Sequence, residues 1–265
     1  MSYTLGFIGC GNMGGALVRA AAKTVGGNEI AICDYDKKKM QTLASDCGVW
    51  AVDIQEIANT CRFVVLGVKP QNIKETLESV AGTLKMRKDV IVITMAAGVS
   101  IAAIRALIGA DLPVIRIMPN TPALLGEGMI LYTSAGVNLM VENEFLDCFA
   151  KAGKFDKLPE DKIDAASALS GCGPAYAYAF AEALADGAVE CGVPRDKAAL
   201  YAAQTLLGAA KMLLEYGHPA DLKDAVCSPG GTTIAGMHAL EKGGLRAAAM
   251  DAVTAAYERT LELKK

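Results

Sequence analysis

The stretch that decides the fold is Leu5-Gly6-Phe7-Ile8-Gly9-Cys10-Gly11-Asn12-Met13-Gly14-Gly15-Ala16-Leu17. Its apolar beginning predicts a β-strand and its end predicts a helix, so the glycines between them form a strand-to-helix turn. Gly9, Gly11 and Gly14 follow the pattern G-x-G-x-x-G: the first glycine allows a tight turn, the second admits a pyrophosphate, and the third lets the helix pack on the strand. The free N–H groups of the helix N-terminus then face the phosphates. We therefore expect a dinucleotide to bind at Gly9, Gly11, Asn12, Met13 and Gly14.

An acidic residue follows the second predicted strand, where a dinucleotide-binding site requires one. The second predicted strand, residues 29–33, ends directly before Asp34, which follows Gly14 by 20 residues. A dinucleotide-binding fold places the acid that holds a ribose hydroxyl at about this distance. The glycine pattern alone also fits an ordinary tight turn, but together with Asp34 it favours a site for a nicotinamide or flavin dinucleotide.

The composition is that of an ordinary globular protein. The chain has 265 residues, of which 52% are hydrophobic and 21% charged, enough for one large or two modest domains. Its net charge is −3 and its longest basic block is Lys37-Lys38-Lys39, so nucleic acid is not an expected partner. No uncharged apolar run reaches the roughly 18 residues of a membrane span, and no basic leader precedes the first strand. We therefore expect no membrane partner and a cytoplasmic location.

The eight cysteines are scattered, mostly inside apolar runs, and form no C-x-x-C pair. We expect reduced core residues rather than disulfides or metal ligands. The two histidines, His218 and His238, lie in no ligand spacing. His238 follows Ile234 by one helical turn, which favours a packing role. The sequence therefore predicts no metal site.

Apolar runs separated by helical patterns continue after Asp34, at residues 49–52, 63–68, 90–94 and 113–117. Such runs are typical of a parallel sheet that is covered on both faces. Ligands bind beyond the carboxyl ends of these strands, which directs attention to the residues that follow each run. These are Val68-Lys69-Pro70-Gln71, Met95-Ala96-Ala97-Gly98 and Met118-Pro119-Asn120-Thr121-Pro122. The first also fits a helix start with a solvated lysine, and the last a simple turn, although its lack of charge suits a nicotinamide amide.

From about Asp161 the chain has helical patterns only, at residues 163–169, 175–191, 195–215, 234–240 and 245–263. Several of these helices are apolar on more than one face, and a helix that is apolar all round must be buried. One small domain cannot bury all of these faces. We therefore expect a subunit interface.

A polar segment lies between two of the helical patterns. Ser228-Pro229-Gly230-Gly231-Thr232-Thr233 is small and glycine-bearing, and it opens onto a helix. Its N–H groups and hydroxyls can converge on an anion. The alternative is a simple helix start, with Ser228 as the cap and Pro229 in the first turn.

Six motifs together resemble the pyrroline-5-carboxylate reductase family. They are Phe7-Ile8-Gly9-Cys10-Gly11-Asn12-Met13-Gly14, Val68-Lys69-Pro70, Ala96-Ala97-Gly98-Val99, Met118-Pro119-Asn120-Thr121-Pro122, Leu169-Ser170-Gly171-Cys172-Gly173-Pro174-Ala175-Tyr176 and Ser228-Pro229-Gly230-Gly231-Thr232-Thr233. They occur in that family's order and cover nearly the whole chain, and the last two are specific to the family. The resemblance implies that NADPH or NADH reduces 1-pyrroline-5-carboxylate to L-proline, the final step of proline biosynthesis. It also implies an α/β, Rossmann-like dinucleotide-binding domain at residues 1–160 and an all-α dimerisation and substrate-binding domain at residues 161–265, in a homodimer or an assembly of dimers.

The resemblance also assigns site residues. The substrate carboxylate would be held by backbone and hydroxyl groups of Ser228, Pro229, Gly230, Gly231, Thr232 and Thr233, and the Thr233 hydroxyl would be the catalytic group that meets the ring nitrogen. The further cofactor-lining positions are Val68, Lys69, Pro70, Ala96, Ala97 and Asn120. Two residues depart from the family pattern. Cys172 replaces a serine, and Asp34 stands where members that prefer NADPH tend to carry a neutral or basic residue, which favours NADH.

The expected chemistry asks little of side chains, because a protonated cyclic imine accepts a hydride at carbon and the cofactor carries the hard step. Thr233 is a hydrogen-bond partner rather than a strong acid, so water can deliver the proton. A β-hydroxyacid-type dehydrogenase shares the two-domain plan but needs a general base, and nothing around Lys211 marks such a site. A dinucleotide-binding redox regulator is a second alternative, but it would have no use for the 228–233 segment.

Overall fold

In the computed structural model, which describes residues 2–263, eight strands form one sheet. They are β1 (Tyr3–Ile8), β2 (Ile30–Cys33), β3 (Trp50–Ala51), β4 (Cys61–Leu66), β5 (Ile91–Thr94), β6 (Val114–Met118), β7 (Gly128–Ala135) and β8 (Gly153–Lys157). The strand order is β3-β2-β1-β4-β5-β6-β7-β8. Neighbours from β3 to β6 are parallel, β7 is antiparallel to β6, and β8 is parallel to β7. After β3 the chain therefore passes to the other half of the sheet, where β4 lies beside β1.

Helices cover both faces of this sheet. They are α1 (Asn12–Ala22), α2 (Lys37–Cys47), α3 (Ile54–Thr60), α4 (Ile73–Lys85), α5 (Ile101–Ile108), α6 (Leu139–Cys148) and α7 (Glu160–Ser170). Successive strand residues alternate between the two faces. Phe7 accordingly packs in one buried cluster with Leu17 of α1, whereas Ile8 packs in the other with Leu77 of α4. Burial on both faces explains why the strand sequences are continuously apolar.

Five helices follow: α8 (Gly173–Glu190), α9 (Arg195–Tyr216), α10 (Pro219–Val226), α11 (Thr232–Lys242) and α12 (Leu245–Leu263). By their contacts the residues divide into two compact units, one ending at Cys172 and rejoined from Ala256, the other running from Gly173 to Ala255. The core of the second unit consists of Ala185, Ala198 and Ala202 only. Its large apolar side chains are mostly exposed, among them Tyr178, Leu184, Leu200, Tyr201, Leu207, Met212, Leu213, Leu214, Tyr216, Val226, Ile234 and Met250.

The predicted α/β class with a helical second half is confirmed, but four elements were not predicted. β7, α6 and β8 lie after the last predicted strand, and α10 lies where only a connection was expected. The charged sequence of β8 and the short, exposed α10 have weak local patterns. No helix within residues 2–263 combines the length and the apolarity that a membrane span needs.

Candidate functional site

A cleft of about 670 Å³ opens at the carboxyl ends of β1, β2 and β4. This is the point where successive crossovers leave the sheet in opposite directions, the usual ligand position in such sheets. The cleft brings together five of the predicted cofactor residues, namely Gly9, Gly11, Asp34, Val68 and Lys69. A smaller cleft of about 370 Å³ on the other side of the turn is lined by Gly11 and by Asn12.

Three glycines of this region pack backbone against backbone. Gly9 has a φ of +98°, and a Cβ there would lie 2.7 Å from the carbonyl carbon of Gly67 and 2.8 Å from the nitrogen of Val68. A Cβ on Gly14 or on Gly67 would collide with the carbonyl oxygen of Gly9. The turn can therefore form only if these three positions lack side chains.

Gly11 differs from these three, because a Cβ there would meet no atom within 4 Å. Its φ of −62° is open to any residue. Gly11 is also the N-cap of α1, and no side chain bonds to the helix end at this cap. Open space in front of uncapped N–H groups fits the pyrophosphate of a dinucleotide, which needs both.

The Asp34 carboxylate stabilises the glycine turn by a hydrogen bond to its backbone. Its Oδ2 accepts a hydrogen bond from Cys10 N at 2.6 Å, and its Oδ1 accepts one from Asp36 N at 2.9 Å. A carboxylate oxygen has two lone pairs, so each oxygen keeps one for a ligand in the cleft. Burial raises the pKa of the Cys10 thiol to about 12, with Asp34 and Cys33 adding to the effect, so Cys10 is a neutral packing residue beside the turn.

Basic side chains line both clefts. Lys37 and Lys39 line the larger cleft, and Lys38 and Lys39 line the smaller one. All three lysines are exposed at the start of α2. Lys39 Nζ lies 3.8 Å from Asp36 Oδ2. The cleft therefore carries both an acid and exposed cations near the position expected for the adenosine ribose.

The remaining predicted cofactor residues line neither cleft: Met13, Gly14, Pro70, Ala96, Ala97 and Asn120. Ala96 is 1% exposed, and Pro70 begins a 3-10 helix, Pro70–Asn72, that leads into α4. Their assignment to the cofactor stays a prediction.

Asn120 is buried, with 7% of its surface exposed, directly after β6 and Pro119. Its Nδ2 donates to the carbonyl oxygen of Ser170 at 2.9 Å, and its Oδ1 accepts from Met129 N at 3.0 Å. The side chain is therefore engaged within the chain at both ends. Ser170 and Met129 are 50 and 9 residues away from Asn120 in sequence, so no local sequence pattern could predict these hydrogen bonds.

Arg116 of β6 is a second buried polar residue, 1% exposed. Its Nη2 lies 2.5 Å from Asp164 Oδ1 and its Nη1 lies 3.6 Å from Glu160 Oε1, so it binds α7. Arg116 was not among the predicted site residues, although a lone charge within the apolar run of β6 is a recognisable signal.

The 228–233 segment forms a tight turn before α11. Gly230 has a φ of +69°, Gly231 N donates to the Ser228 carbonyl oxygen at 3.0 Å, and Gly231 is the N-cap of the helix. The alternative in which Ser228 caps the helix is therefore wrong. Thr232 and Thr233 lie in the first turn, and both are exposed. An uncapped helix end with two hydroxyls can bind a carboxylate.

Other residues weighed from the sequence lie at the surface. His238 is exposed on α11 instead of packed, and Lys211 is exposed on α9. All eight cysteines are free thiols, but the expectation of core positions is wrong for Cys172 and Cys191, which are exposed.

The fold and the cleft thus define a dinucleotide-dependent oxidoreductase with a helical second half. Comparison with known proteins agrees. The family model for pyrroline-5-carboxylate reductase dimerisation matches residues 160–263, and the model for NADP oxidoreductase, coenzyme F420-dependent, matches residues 4–98.

Full-length relatives make the assignment specific. Pyrroline-5-carboxylate reductase of Escherichia coli (strain K12) is 39% identical and that of Synechocystis sp. 42% identical, each over 100% of both chains. The crystal structure of Plasmodium falciparum pyrroline carboxylate reductase with NADP bound has a TM-score of 0.89 and 31% identity, covering 99% of this chain and 98% of that one. The Coxiella burnetii enzyme has a TM-score of 0.90 and 34% identity over 100% of both chains. The chain belongs to the pyrroline-5-carboxylate reductase family.

Proposed function

We infer that this chain reduces 1-pyrroline-5-carboxylate to L-proline with NAD(P)H, the final step of proline biosynthesis. The observation that carries the inference is the full-length match to this family in a chain that keeps both the glycine cleft and the 228–233 turn. A β-hydroxyacid-type dehydrogenase would need a general base in the helical half. Lys211 is the candidate for that role, but it is exposed on α9 and lines neither of the two clefts.

In this proposal different residues bind the cofactor and the substrate. The N–H groups at the start of α1 hold the pyrophosphate beside Gly11, and Asp34 binds the adenosine ribose. A dinucleotide held by these groups would supply the hydride that the imine carbon accepts. The 228–233 turn holds the substrate carboxylate, and the Thr233 hydroxyl accepts a hydrogen bond from the protonated ring nitrogen. Water supplies the proton that makes this nitrogen an iminium before hydride transfer, and addition of the hydride to the carbon then leaves the neutral amine of proline.

We expect NADH to be used at least as well as NADPH. The charge of Asp34 repels a 2′-phosphate at the ribose, whereas Lys37, Lys38 and Lys39 would attract one. The measurement is oxidation of each reduced cofactor with and without pyrroline-5-carboxylate. Asp34→Asn keeps one oxygen for the Cys10 N–H and should move the ratio of kcat/KM values toward NADPH.

The same assay tests the function. Imine-dependent oxidation by the wild-type protein excludes a regulator that binds without turnover, and its absence with both cofactors would overturn the proposal. A clearly higher kcat/KM with NADPH would instead show that the lysines outweigh Asp34.

We also propose a homodimer, or an assembly of dimers, in which each active site is shared. The exposed apolar faces of the 173–255 unit and the dimerisation family match support an interface there. We propose accordingly that residues 1–160 bind the cofactor and that residues 161–265 dimerise and bind the substrate. Eight free thiols suit a reducing compartment, which supports a cytoplasmic location.

Mixing two inactive variants tests the shared site. Gly11→Phe blocks the pyrophosphate position in space that is open in the folded chain, and Thr233→Ala removes the substrate contact. After dissociation and reassembly of the mixture, hybrids should regain activity, because one of their two sites combines an intact cofactor half with an intact substrate half. Hybrids that form but stay as inactive as their parents would mean that each chain builds its own site.

A further inference from the structure

Asn120 joins three segments at the ligand edge of the sheet. It follows the carboxyl end of β6 with one residue, Pro119, between them. Its Oδ1 accepts from the backbone N–H of Met129 in β7, and its Nδ2 donates to the carbonyl oxygen of Ser170, the last residue of α7. The carbonyls of a final helical turn lack partners within the helix, so Asn120 satisfies one that the helix leaves free. The Arg116–Asp164 contact holds α7 at a separate point, six residues before Ser170. Asn120 therefore controls the last turn of α7 rather than the attachment of the helix as a whole.

The position of this last turn matters to a ligand. The Ser170 hydroxyl is buried and has no hydrogen-bond partner among residues 2–263. A buried polar group without a partner needs an explanation, and a ligand that arrives during the reaction provides one. Ser170 also opens the Ser-Gly-Cys-Gly-Pro segment, a motif to which the mechanism above gives no role.

We propose that Asn120 is a positioning residue, which fixes the Ser170 turn against the end of β6 through the bond to the Ser170 carbonyl oxygen. We do not assign its side chain to the cofactor, because it is buried, lines neither cleft and already bonds within the chain through both Nδ2 and Oδ1. The proposal rests on the reductase function inferred above. It assigns Asn120 to the substrate step, in contrast to the cofactor-lining role that the family resemblance implies.

Asn120→Asp tests the donor alone. The introduced carboxyl still accepts from Met129 N, but when ionised it cannot donate to the Ser170 oxygen and instead repels it. Burial beside a carbonyl oxygen raises the pKa of this carboxyl, and the protonated form regains a donor. Misplacement of a positioning group by about 1 Å can cost up to 10²-fold. At pH 8 we expect kcat/KM for the imine to fall about 10- to 100-fold, with the Kd for NADPH and NADH changed less than about threefold.

The pH dependence separates positioning from general damage. The ratio of variant to wild-type kcat/KM should rise toward one as the pH falls to about 5.5, because the carboxyl becomes a donor. Asn120→Ser is too short to reach the Ser170 oxygen and should lose a similar factor at every pH. Asn138→Asp is the matched control, since Asn138 caps α6 only through its acceptor oxygen, with Val141 N at 2.9 Å, and should match the wild type throughout.

Three results would overturn the proposal: unchanged kcat/KM for both Asn120 variants, a pH-independent loss in Asn120→Asp, or a Kd for the reduced cofactor raised tenfold with kcat retained. The thermal midpoint of Asn120→Asp, compared with wild type across the same pH range, checks the hydrogen bond without any substrate. If the wild type itself shows no imine-dependent oxidation, the proposed function fails. In that case a thermal midpoint of Asn120→Asp that falls further below the wild-type value as the pH rises would still show that the Asn120–Ser170 bond exists.

Discussion

Replacing Thr233 by alanine is expected to lower kcat with pyrroline-5-carboxylate by about 10²-fold, because loss of one preorganised hydrogen-bond partner typically costs about 10²- to 10³-fold. A neutral hydroxyl that serves a protonated nitrogen belongs at or below the low end of that range. Thr233 is exposed in the first turn of α11, so its removal leaves no cavity in the chain. The Kd for NADPH and NADH should stay nearly unchanged, since the glycine cleft is untouched.

Two controls accompany this variant in steady-state assays. Thr233→Ser keeps the hydroxyl and should retain most of the activity. Thr83→Ala removes a half-buried hydroxyl on α4 that donates to Gln55, far from the 228–233 segment in sequence, and should retain wild-type activity. Wild-type kcat/KM in Thr233→Ala would remove this residue from the mechanism. Equal losses in the alanine and serine variants would mean that the methyl group or the backbone matters rather than the hydroxyl.

Replacing Arg116 by glutamine is expected to lower the free energy of unfolding by about 3–5 kcal/mol, the usual effect of breaking a buried ion pair from one side. Asp164 is 2% exposed and its Oδ1 lies 2.5 Å from Arg116 Nη2, so the variant leaves a carboxylate in the interior without this cation. Urea unfolding measures the change. Variant and wild type should be compared at equal protein concentration, because association adds to apparent stability.

Lys74→Gln is the control for Arg116. Lys74 lies 3.9 Å from Glu78 on the surface of α4, and an exposed pair of this kind contributes about 0–1 kcal/mol. A loss in Arg116→Gln no larger than that of Lys74→Gln would show that water reaches the buried pair. The Arg116→Met, Asp164→Leu double variant should recover part of the stability, because removing both charges removes the desolvation cost.

β1, β2, β4, β5 and β6 could be predicted because they are buried on both faces, which requires a continuous apolar run in the sequence. β8 could not, since Gly153–Lys157 has one large apolar residue, Phe155, and the strand exists only because β7 lies beside it. A strand at the edge of a sheet is defined by its partner rather than by its own pattern.

The candidate site divides in the same way. The glycine turn and Asp34 were predictable because they lie within one short unit, and their spacing is set by its geometry. The contacts of Asn120 and Arg116 were not, since they cross 50 and 48 residues and depend on where α7 lies. Thr232 and Thr233 were identified as polar groups, but only the fold shows that Gly231, and not Ser228, begins their helix.

The four glycines at and beside the nucleotide turn, Gly9, Gly11, Gly14 and Gly67, are expected to tolerate substitution differently over evolution. Selection for a folded chain alone holds glycine at positions 9, 14 and 67, where a Cβ meets backbone, and lets position 11 drift to any residue. Selection for dinucleotide binding additionally requires glycine at position 11. A descendant that had lost its cofactor but kept its fold would therefore show the loss first at Gly11, while the other three glycines remained.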